Sequence, residues 1–379
     1  MTKIRFFRHN VTLNDILNVI KTLRSDFITT GPVTEEFERR FSEFLGVKYT
    51  VGLTSCTAAL FLGLKALGIK EGDEVIVPAL TFVSTASVVE HCKAKPVFCD
   101  VERDTGLIDL SEMKKKITKR TKAVIPVHIY GQMADIKNIV SICKEKKIAV
   151  IEDAAHGPDM ERDGIRPGVI TDLAAFSFYA TKNITCGEGG ALSTQKRSIY
   201  EKVKILRLHG LTHDAANRYQ RNRFVQYDVI DAGYKYNMSD IQASLLIYQL
   251  QNIKNNTEKR REIYKRYCRE IERIKGIFIP PIDKYGKSCY HLMTIQVDPG
   301  KREKFIETLN DNGVPVSVHF HPVHLFSYYK RKYGFKRGDF PNAEKIGFST
   351  ITLPFHPFIK EREFRKVISS LKKAAEILS

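Results

Sequence analysis

Seven short apolar runs, at residues 48–53, 74–78, 96–101, 122–128, 147–152, 173–178 and 190–194, alternate with stretches of helical periodicity at 57–68, 83–92, 109–117 and 135–146. Parallel strands need crossover connections and read as continuous apolar runs, so this rhythm predicts βαβ units and a mostly parallel sheet with both faces covered. Ahead of the sheet, Leu13, Ile16, Leu17, Ile20 and Leu23 recur at helical spacing, which predicts an amphipathic helix over 12–25 that stops before Thr30-Gly31-Pro32. A second helix is expected with Thr34 as its N-cap, Glu35 and Glu36 in its first turn, and Phe37, Phe41, Phe44 and Leu45 on its apolar side. Gly46 would end it.

Past the last run the pattern changes. Residues 207–236 are polar and aromatic with little periodicity, and a loop of that length in a compact domain is usually functional or mobile. A single long helix is expected from Ser239 to about Lys265, with Ile241, Leu245, Tyr248 and Ile253 on its apolar side. It would lead into a second unit, where runs at 289–297 and 314–320 bracket a helix at 301–311 and a last helix follows Lys360. The division expected is a large domain over residues 1–250 and a small one over 251–379, with no internal repeat.

Composition narrows the class. With 379 residues, 43% apolar and 27% charged, the chain can bury a large core. No window approaches the ~20 apolar residues of a membrane span and the N-terminus has no signal-peptide core, so a cytoplasmic protein without a membrane partner is expected. The seven cysteines are scattered, odd in number and without a C-x-x-C pair, and are read as reduced thiols rather than disulfides or zinc ligands. The net charge of +18 is spread along the chain, its tightest cluster being Lys114-Lys115-Lys116. It is read as a solvated surface and then as attraction for small anions, ahead of nucleic acid, for which no recognition-helix motif stands out.

The candidate chemistry sits at two strand ends. The run from Leu173 to Phe178 breaks into a polar turn carrying Lys182, followed by a Gly-rich bend, and the run 147–152 ends in Glu152, Asp153 and His156. If both are parallel strands of one sheet, Asp153 and Lys182 lie at neighbouring carboxyl ends, where open α/β sheets bind ligands. An amine and a carboxylate facing one pocket fit pyridoxal phosphate chemistry, in which the lysine forms a Schiff base and the acid keeps the ring nitrogen protonated. Thr54-Ser55-Cys56-Thr57-Ala58-Ala59-Leu60 is a small-residue turn into a helix, suited to a phosphate, and Phe82 at a strand–helix junction could lie against a ring.

Taken together, S-C-T-A-A-L, P-A-L-T-F-V-S-T, I-E-D-A-A-H, S-F-Y-A-T-K-N-I-T-C-G-E-G-G and G-Y-K-Y-N-M-S-D-I-Q-A resemble the DegT/DnrJ/EryC1/StrS sugar aminotransferases over nearly the whole chain. Within that family the chain is most similar to the UDP-4-amino-4-deoxy-L-arabinose (ArnB-type) enzymes, which share F-I-T-T-G-P, K-N-I-T-C and G-Y-K-Y-N. The resemblance implies the α/β aspartate aminotransferase fold (fold type I), with a mostly parallel seven-stranded sheet in the large domain and a smaller α+β C-terminal domain. It implies pyridoxal 5'-phosphate as cofactor, with Lys182 as its Schiff-base lysine and proton shuttle and Asp153 on the pyridine nitrogen. Phe82 would stack on the ring where the ArnB-type motif often carries Trp. The amides of Cys56 and Thr57 and the hydroxyl of Ser177 would hold the phosphate, and His156 would lie over the ring near its hydroxyl. Asn237 matches a residue that reaches the phosphate from the neighbouring subunit, which implies a homodimer.

The same resemblance implies the reaction. Lysine rather than histidine at position 182 favours transamination over dehydration, and E-D-A-A-H is the form common among enzymes acting at the sugar C4, where C3 enzymes often read E-D-A-A-Q. The expected partners are glutamate, leaving as 2-oxoglutarate, and a nucleotide-linked 4-keto sugar, either a UDP-4-keto-pentose or a 4-keto-6-deoxyhexose. Amination at C3, a lyase or dehydratase reaction, and a DNA-binding regulator stay open as alternatives. Thr30, His319 and His324 are the candidate substrate contacts, and Arg218, Arg221 and Arg223 are candidate diphosphate ligands or solvated loop charges. The histidines at 319, 321 and 324 lack a flanking carboxylate or cysteine, so no metal is expected.

Overall fold

The computed structural model describes residues 4–212 and 226–376. Its centre is a seven-stranded sheet of β1 (Tyr49–Leu53), β2 (Glu74–Pro78), β3 (Lys95–Cys99), β4 (Thr121–Val124), β5 (Ala149–Asp153), β6 (Leu173–Ser177) and β7 (Gly190–Thr194). The order is β1-β7-β6-β5-β4-β2-β3, and β7 alone runs antiparallel to its neighbours. All seven apolar runs of the sequence are therefore strands of this one sheet. The register pairs Asp153 with Ala175, so the carboxyl ends of β5 and β6 lie side by side.

Helices α1 (Leu13–Leu23) and α2 (Pro32–Leu45) precede the sheet. Contrary to expectation, α2 starts two residues before Thr34, with Gly31 as N-cap and Pro32 at the first helical position, where its missing N–H costs nothing. The cap comes from far along the chain. Asp240 accepts from the N–H groups of Gly31 (2.8 Å), Val33 (3.1 Å) and Thr34 (2.8 Å) and from the Thr34 hydroxyl (2.6 Å). Gly46 ends the helix in the left-handed region at φ 81°, as its sequence position suggested.

Four helices connect the strands: α3 (Cys56–Ala66), α4 (Ser84–His91), α5 (Leu110–Lys116) and α6 (Ile136–Glu145), and α7 (Arg197–Leu206) follows β7. The expected single helix after Ser239 is two, α8 (Asp240–Gln251) and α9 (Ile253–Ile271), joined at Asn252. Of the expected apolar side, Ile253 is buried and Leu245 packs on the core, but Tyr248 is exposed, and Ala243, Leu246, Ile247 and Leu250 carry most of the burial. Two strands, β8 (Met293–Gln296) and β9 (Thr350–Leu353), form a separate antiparallel pair on which α10 (Arg302–Asp311) and α11 (Glu361–Ala375) pack.

The apolar interior is divided in two. The larger cluster surrounds the seven-stranded sheet and takes in Val323, Tyr329, Phe340, Ala343 and Ile346 from the last third of the chain. The smaller is built on Ile263, Tyr267, Ile271, Met293, Ile351, Phe364 and Leu371, and Ile4 inserts into it from the N-terminus. Among the described residues no helix is long and apolar enough to cross a membrane.

Candidate active site

The carboxyl ends of β5 and β6 open into a cavity of about 390 Å³ that Cys56, Thr57, Phe82, Asp153, His156, Ser177, Lys182 and His319 all help to line. Residues scattered over 260 positions of sequence thus meet in one place. The strand ends explain why. Asp153 is the last residue of β5 and Ser177 the last of β6, and the chain leaving β6 folds into a turn in which the Lys182 N–H bonds the Tyr179 carbonyl at 2.9 Å.

Asp153 is 5% exposed. Its Oδ2 accepts from the Thr85 hydroxyl at 2.8 Å, and Thr81, in the bend ahead of α4, lies 2.8 Å behind Thr85. Its Oδ1 accepts from the Ala155 N–H at 3.2 Å and faces the Cys56 thiol at 3.9 Å. Burial raises the carboxyl pKa above its ordinary value, against the lowering effect of these hydrogen bonds and of Lys182. Lys182 moves the other way. Burial depresses its ammonium to about 8, while the Asp153 carboxylate opposes the shift.

The cavity floor is the start of α3. The Ser55 hydroxyl caps the helix by accepting from the Ala58 N–H at 3.0 Å, and the N–H groups of Cys56 and Thr57 belong to a first turn that no intrahelical carbonyl serves. Gly190 makes this floor possible. A Cβ there would stand 2.2 Å from the carbonyl carbon of Ser55 and 2.4 Å from the nitrogen of Cys56, so only glycine lets β7 pass the helix start. On the far wall Phe82 is 57% exposed and lies 6.0 Å from Phe320, presenting an open ring face.

Three imidazoles complete the wall. His156 is buried and takes the Tyr130 N–H on its Nδ1 at 2.8 Å; Tyr130 holds a left-handed backbone, φ 59°, that turns this N–H toward the ring. Burial, with the charge of Lys182 adding to it, keeps His156 well below the usual histidine range. His319 bonds Thr352 Oγ1 at 2.8 Å and stacks on Phe6, and burial lowers it to about 4. His291 lies against His156 with ring centroids 4.7 Å apart.

Other sequence candidates sit elsewhere. Thr30 and Asn237 bond each other at 2.6 Å and border a separate depression beside Lys204 and Arg207. His324 is fully buried, bonded to Glu344 at 3.1 Å and packed on Phe340, and does not reach the cavity. His321 packs between Phe326 and Phe348. Arg218, Arg221 and Arg223 lie outside the described residues.

Several site residues were not singled out from the sequence: His291 and the N-terminal Phe6 and Phe7, which line the cavity, and Thr85, which stands behind Asp153. A polar His291 inside the apolar run 289–297 is a signal that was readable. Nothing local marks Phe6 and Phe7, which reach the site because Ile4 anchors the N-terminus in the smaller core and the Phe6 carbonyl accepts from the Phe355 N–H at 3.1 Å.

Comparison with known proteins agrees with this geometry. The chain is 41% identical to the spore coat polysaccharide biosynthesis protein SpsC of Bacillus subtilis over 94% of its own length and 93% of that protein's. It is 37% identical to the UDP-4-amino-4-deoxy-L-arabinose–oxoglutarate aminotransferase of Shewanella sediminis, over 95% of each. Among solved structures, the PLP form of a protein of Streptococcus pneumoniae described as a sugar aminotransferase superposes over the full length of both chains, with a TM-score of 0.92 at 32% identity. The expected α/β fold is therefore the one observed. With a family model matching residues 10–372, the chain belongs to the DegT/DnrJ/EryC1/StrS aminotransferase family and is an enzyme of the transaminase class.

Proposed function

We propose that the enzyme uses pyridoxal 5'-phosphate to move an amino group from glutamate to a nucleotide-linked 4-keto sugar, a UDP-4-keto-pentose or a 4-keto-6-deoxyhexose, giving the 4-amino sugar and 2-oxoglutarate. The observation that carries this reading is the pairing, in one cavity, of an amine depressed to about 8 with a buried carboxylate.

The residues fit the cofactor. The start of α3 at Cys56 and Thr57, with the Ser177 hydroxyl, would hold the phosphate on orphan N–H groups. Asp153 would pair with the ring nitrogen, whose positive charge is what a buried carboxylate otherwise lacks. Phe82 would lie on the ring face. His156, whose Nδ1 is occupied by the Tyr130 N–H, would offer its Nε2–H to the ring hydroxyl.

When bound, the cofactor supplies a carbonyl carbon at which amines exchange and a ring that accepts the electron pair left by a departing α-proton. Lys182 does the proton work: its Nζ, neutral in a sizeable fraction at physiological pH, takes the α-proton of the amino donor and later returns a proton to the acceptor carbon. Asp153 would hold its charge against the ring nitrogen, and Thr85 fixes the orientation of that carboxylate. Glutamate and the keto sugar would occupy the same cavity in turn, with His319 and Phe320 on the sugar side. In this reading residues 1–250 form the cofactor-holding unit and 251–379 the smaller one. A cytoplasmic location fits seven free thiols.

Action at C4 rests on His156 in E-D-A-A-H and on the ArnB-type relative. A homodimer is favoured by α1, which packs its polar side inward, with Asp15 and Thr22 buried and Asn18 bonded to the Ser244 carbonyl at 2.7 Å. Its apolar stripe of Leu13, Ile16, Leu17, Ile20 and Leu23 stands 41–69% exposed, as a surface covered by a second copy would. In such a dimer Asn237 would contribute to the partner's site. The deciding experiment is a screen of UDP-, dTDP- and GDP-linked 4-keto sugars with glutamate, followed by product analysis. Amination at C3, or loss of a sugar hydroxyl without amination, would overturn the proposal.

A further inference from the structure

His291 belongs to no motif that marks the reaction, yet it lines the cavity and is 5% exposed. Its protonation pattern follows from a chain of donors and acceptors that begins at a group with only one possible role. The Cys289 carbonyl can only accept, and it lies 2.8 Å from Asn183 Nδ2, which is therefore the amide nitrogen. The other side-chain atom of Asn183 is then the oxygen, an acceptor, and it lies 3.2 Å from His291 Nδ1. Nδ1 must carry the proton. In a neutral ring this leaves Nε2 with a lone pair. The same reasoning gives the adjacent ring the opposite pattern, because the Tyr130 N–H can only donate and occupies His156 Nδ1. One imidazole thus offers the cavity a proton and its neighbour, 4.7 Å away between centroids, offers a lone pair.

Asn183 is the residue after Lys182, and its main chain is held as well. Its carbonyl accepts from Asn10 Nδ2 at 3.0 Å, so the N-terminal segment, the lysine turn and the segment around 289–291 are joined at one residue. We propose that Asn183 is a positioning residue that sets the Nδ1–H tautomer of His291, and that His291 acts in the cavity as a hydrogen-bond acceptor for an N–H or O–H group, either the displaced Lys182 or a sugar hydroxyl. Neutrality of the ring supports this: burial, then the nearby charge of Lys182, holds His291 well below the usual histidine range. The inference rests on Lys182 as the reactive amine.

The test uses the full-length protein with its imidazoles labelled with ¹⁵N. Comparison with His291→Asn assigns the His291 signals, and the nitrogen shifts report which atom is protonated at neutral pH. The expected result is Nδ1–H for His291 and Nε2–H for His156 in the cofactor-free wild type, with His291 redistributing between tautomers in Asn183→Ala. A wild-type His291 protonated on Nε2 overturns the proposal without any variant, and so does an Nδ1–H tautomer that survives in Asn183→Ala. His291→Asn separates latch from acceptor, since its amide can still donate to Asn183 but supplies no lone pair at the Nε2 position. It should keep the Lys182 titration near wild type while kcat falls by about 10- to 100-fold; an unchanged kcat removes the acceptor role. A borohydride tag at Lys182 alongside the wrong tautomer would sink this inference alone, whereas the correct tautomer without a tag would sink the functional reading and with it the acceptor role, leaving only the Asn183–His291 tautomer latch.

Discussion

Burial of Lys182 should make it the most reactive lysine in the cofactor-free protein at neutral pH. With its ammonium at about 8 rather than 10.5, about one amine in ten is neutral at pH 7, against about one in three thousand for a lysine left in water. The expected excess in neutral amine is therefore about 300-fold at pH 7 and shrinks to nothing by about pH 11. Competitive acetylation with trace reagent between pH 6 and 11, followed by peptide mass mapping, measures each lysine's curve against the others. Lys182 should show an inflection near 8 while exposed lysines continue to rise above 10.

The Asp153→Asn variant sharpens the test, because the carboxylate opposes the depression and its loss should move the inflection further down. The sign for stability is fixed by the same shift. Between the native value and 10.5 the unfolded chain binds more protons at this site, so the cost of a buried ammonium is fully present below pH 8 and is relieved as pH rises toward 10.5. A Lys182 curve that coincides with those of surface lysines, or that rises in Asp153→Asn, would refute the argument that desolvation governs this amine.

Lys182→Ala should abolish the borohydride-stable tag and lower transamination by at least about 10²–10⁴-fold, checked by peptide mapping and steady-state assay. Gly190→Ala should cost at least about 2 kcal/mol in a denaturant melt and weaken cofactor retention, because the added Cβ meets backbone of Ser55 and Cys56 that no rotamer change can move aside. Leu17→Glu combined with Ile20→Glu should leave the far-UV spectrum intact and halve the mass seen by light scattering; a dimer that survives would mean that α1 is covered by something else.

What the sequence made legible is what the chain builds locally. Strand runs and their spacing gave the sheet, because a buried parallel strand is a continuous apolar stretch whatever lies elsewhere. Lys182 and Asp153 were legible for a related reason: Asp153 ends its strand, Lys182 lies in the turn that leaves the neighbouring one, and parallel register brings those two strand ends together. Most of the misses are contacts between segments far apart in sequence. Thr34 looked like an N-cap because no local feature announces that Asp240, 206 residues away, does the capping. The helix from Ser239 read as continuous because Asn252 interrupts it without proline or glycine. His324 looked like a site residue by its spacing from His319, yet Glu344 and Phe340 draw it into the core.

The electrostatic design of the cavity depends on those distant contacts. An amine that must shed its proton near neutrality is helped by any positive neighbour, yet charged neighbours would themselves be costly to bury. Three imidazoles around Lys182 avoid that conflict by staying neutral: His319 is lowered to about 4, and His156 and His291 lie well below the ordinary histidine range. They supply hydrogen-bonding atoms without net charge while Lys182 titrates near 8, so that within the pH range where the enzyme must work the amine changes state and its imidazole wall does not. Two of those three rings come from beyond residue 280 and are held by Asn183 and Thr352. Anything that separates the C-terminal segments from the sheet should therefore change the chemistry of Lys182 before it disturbs the Asp153 end of the site.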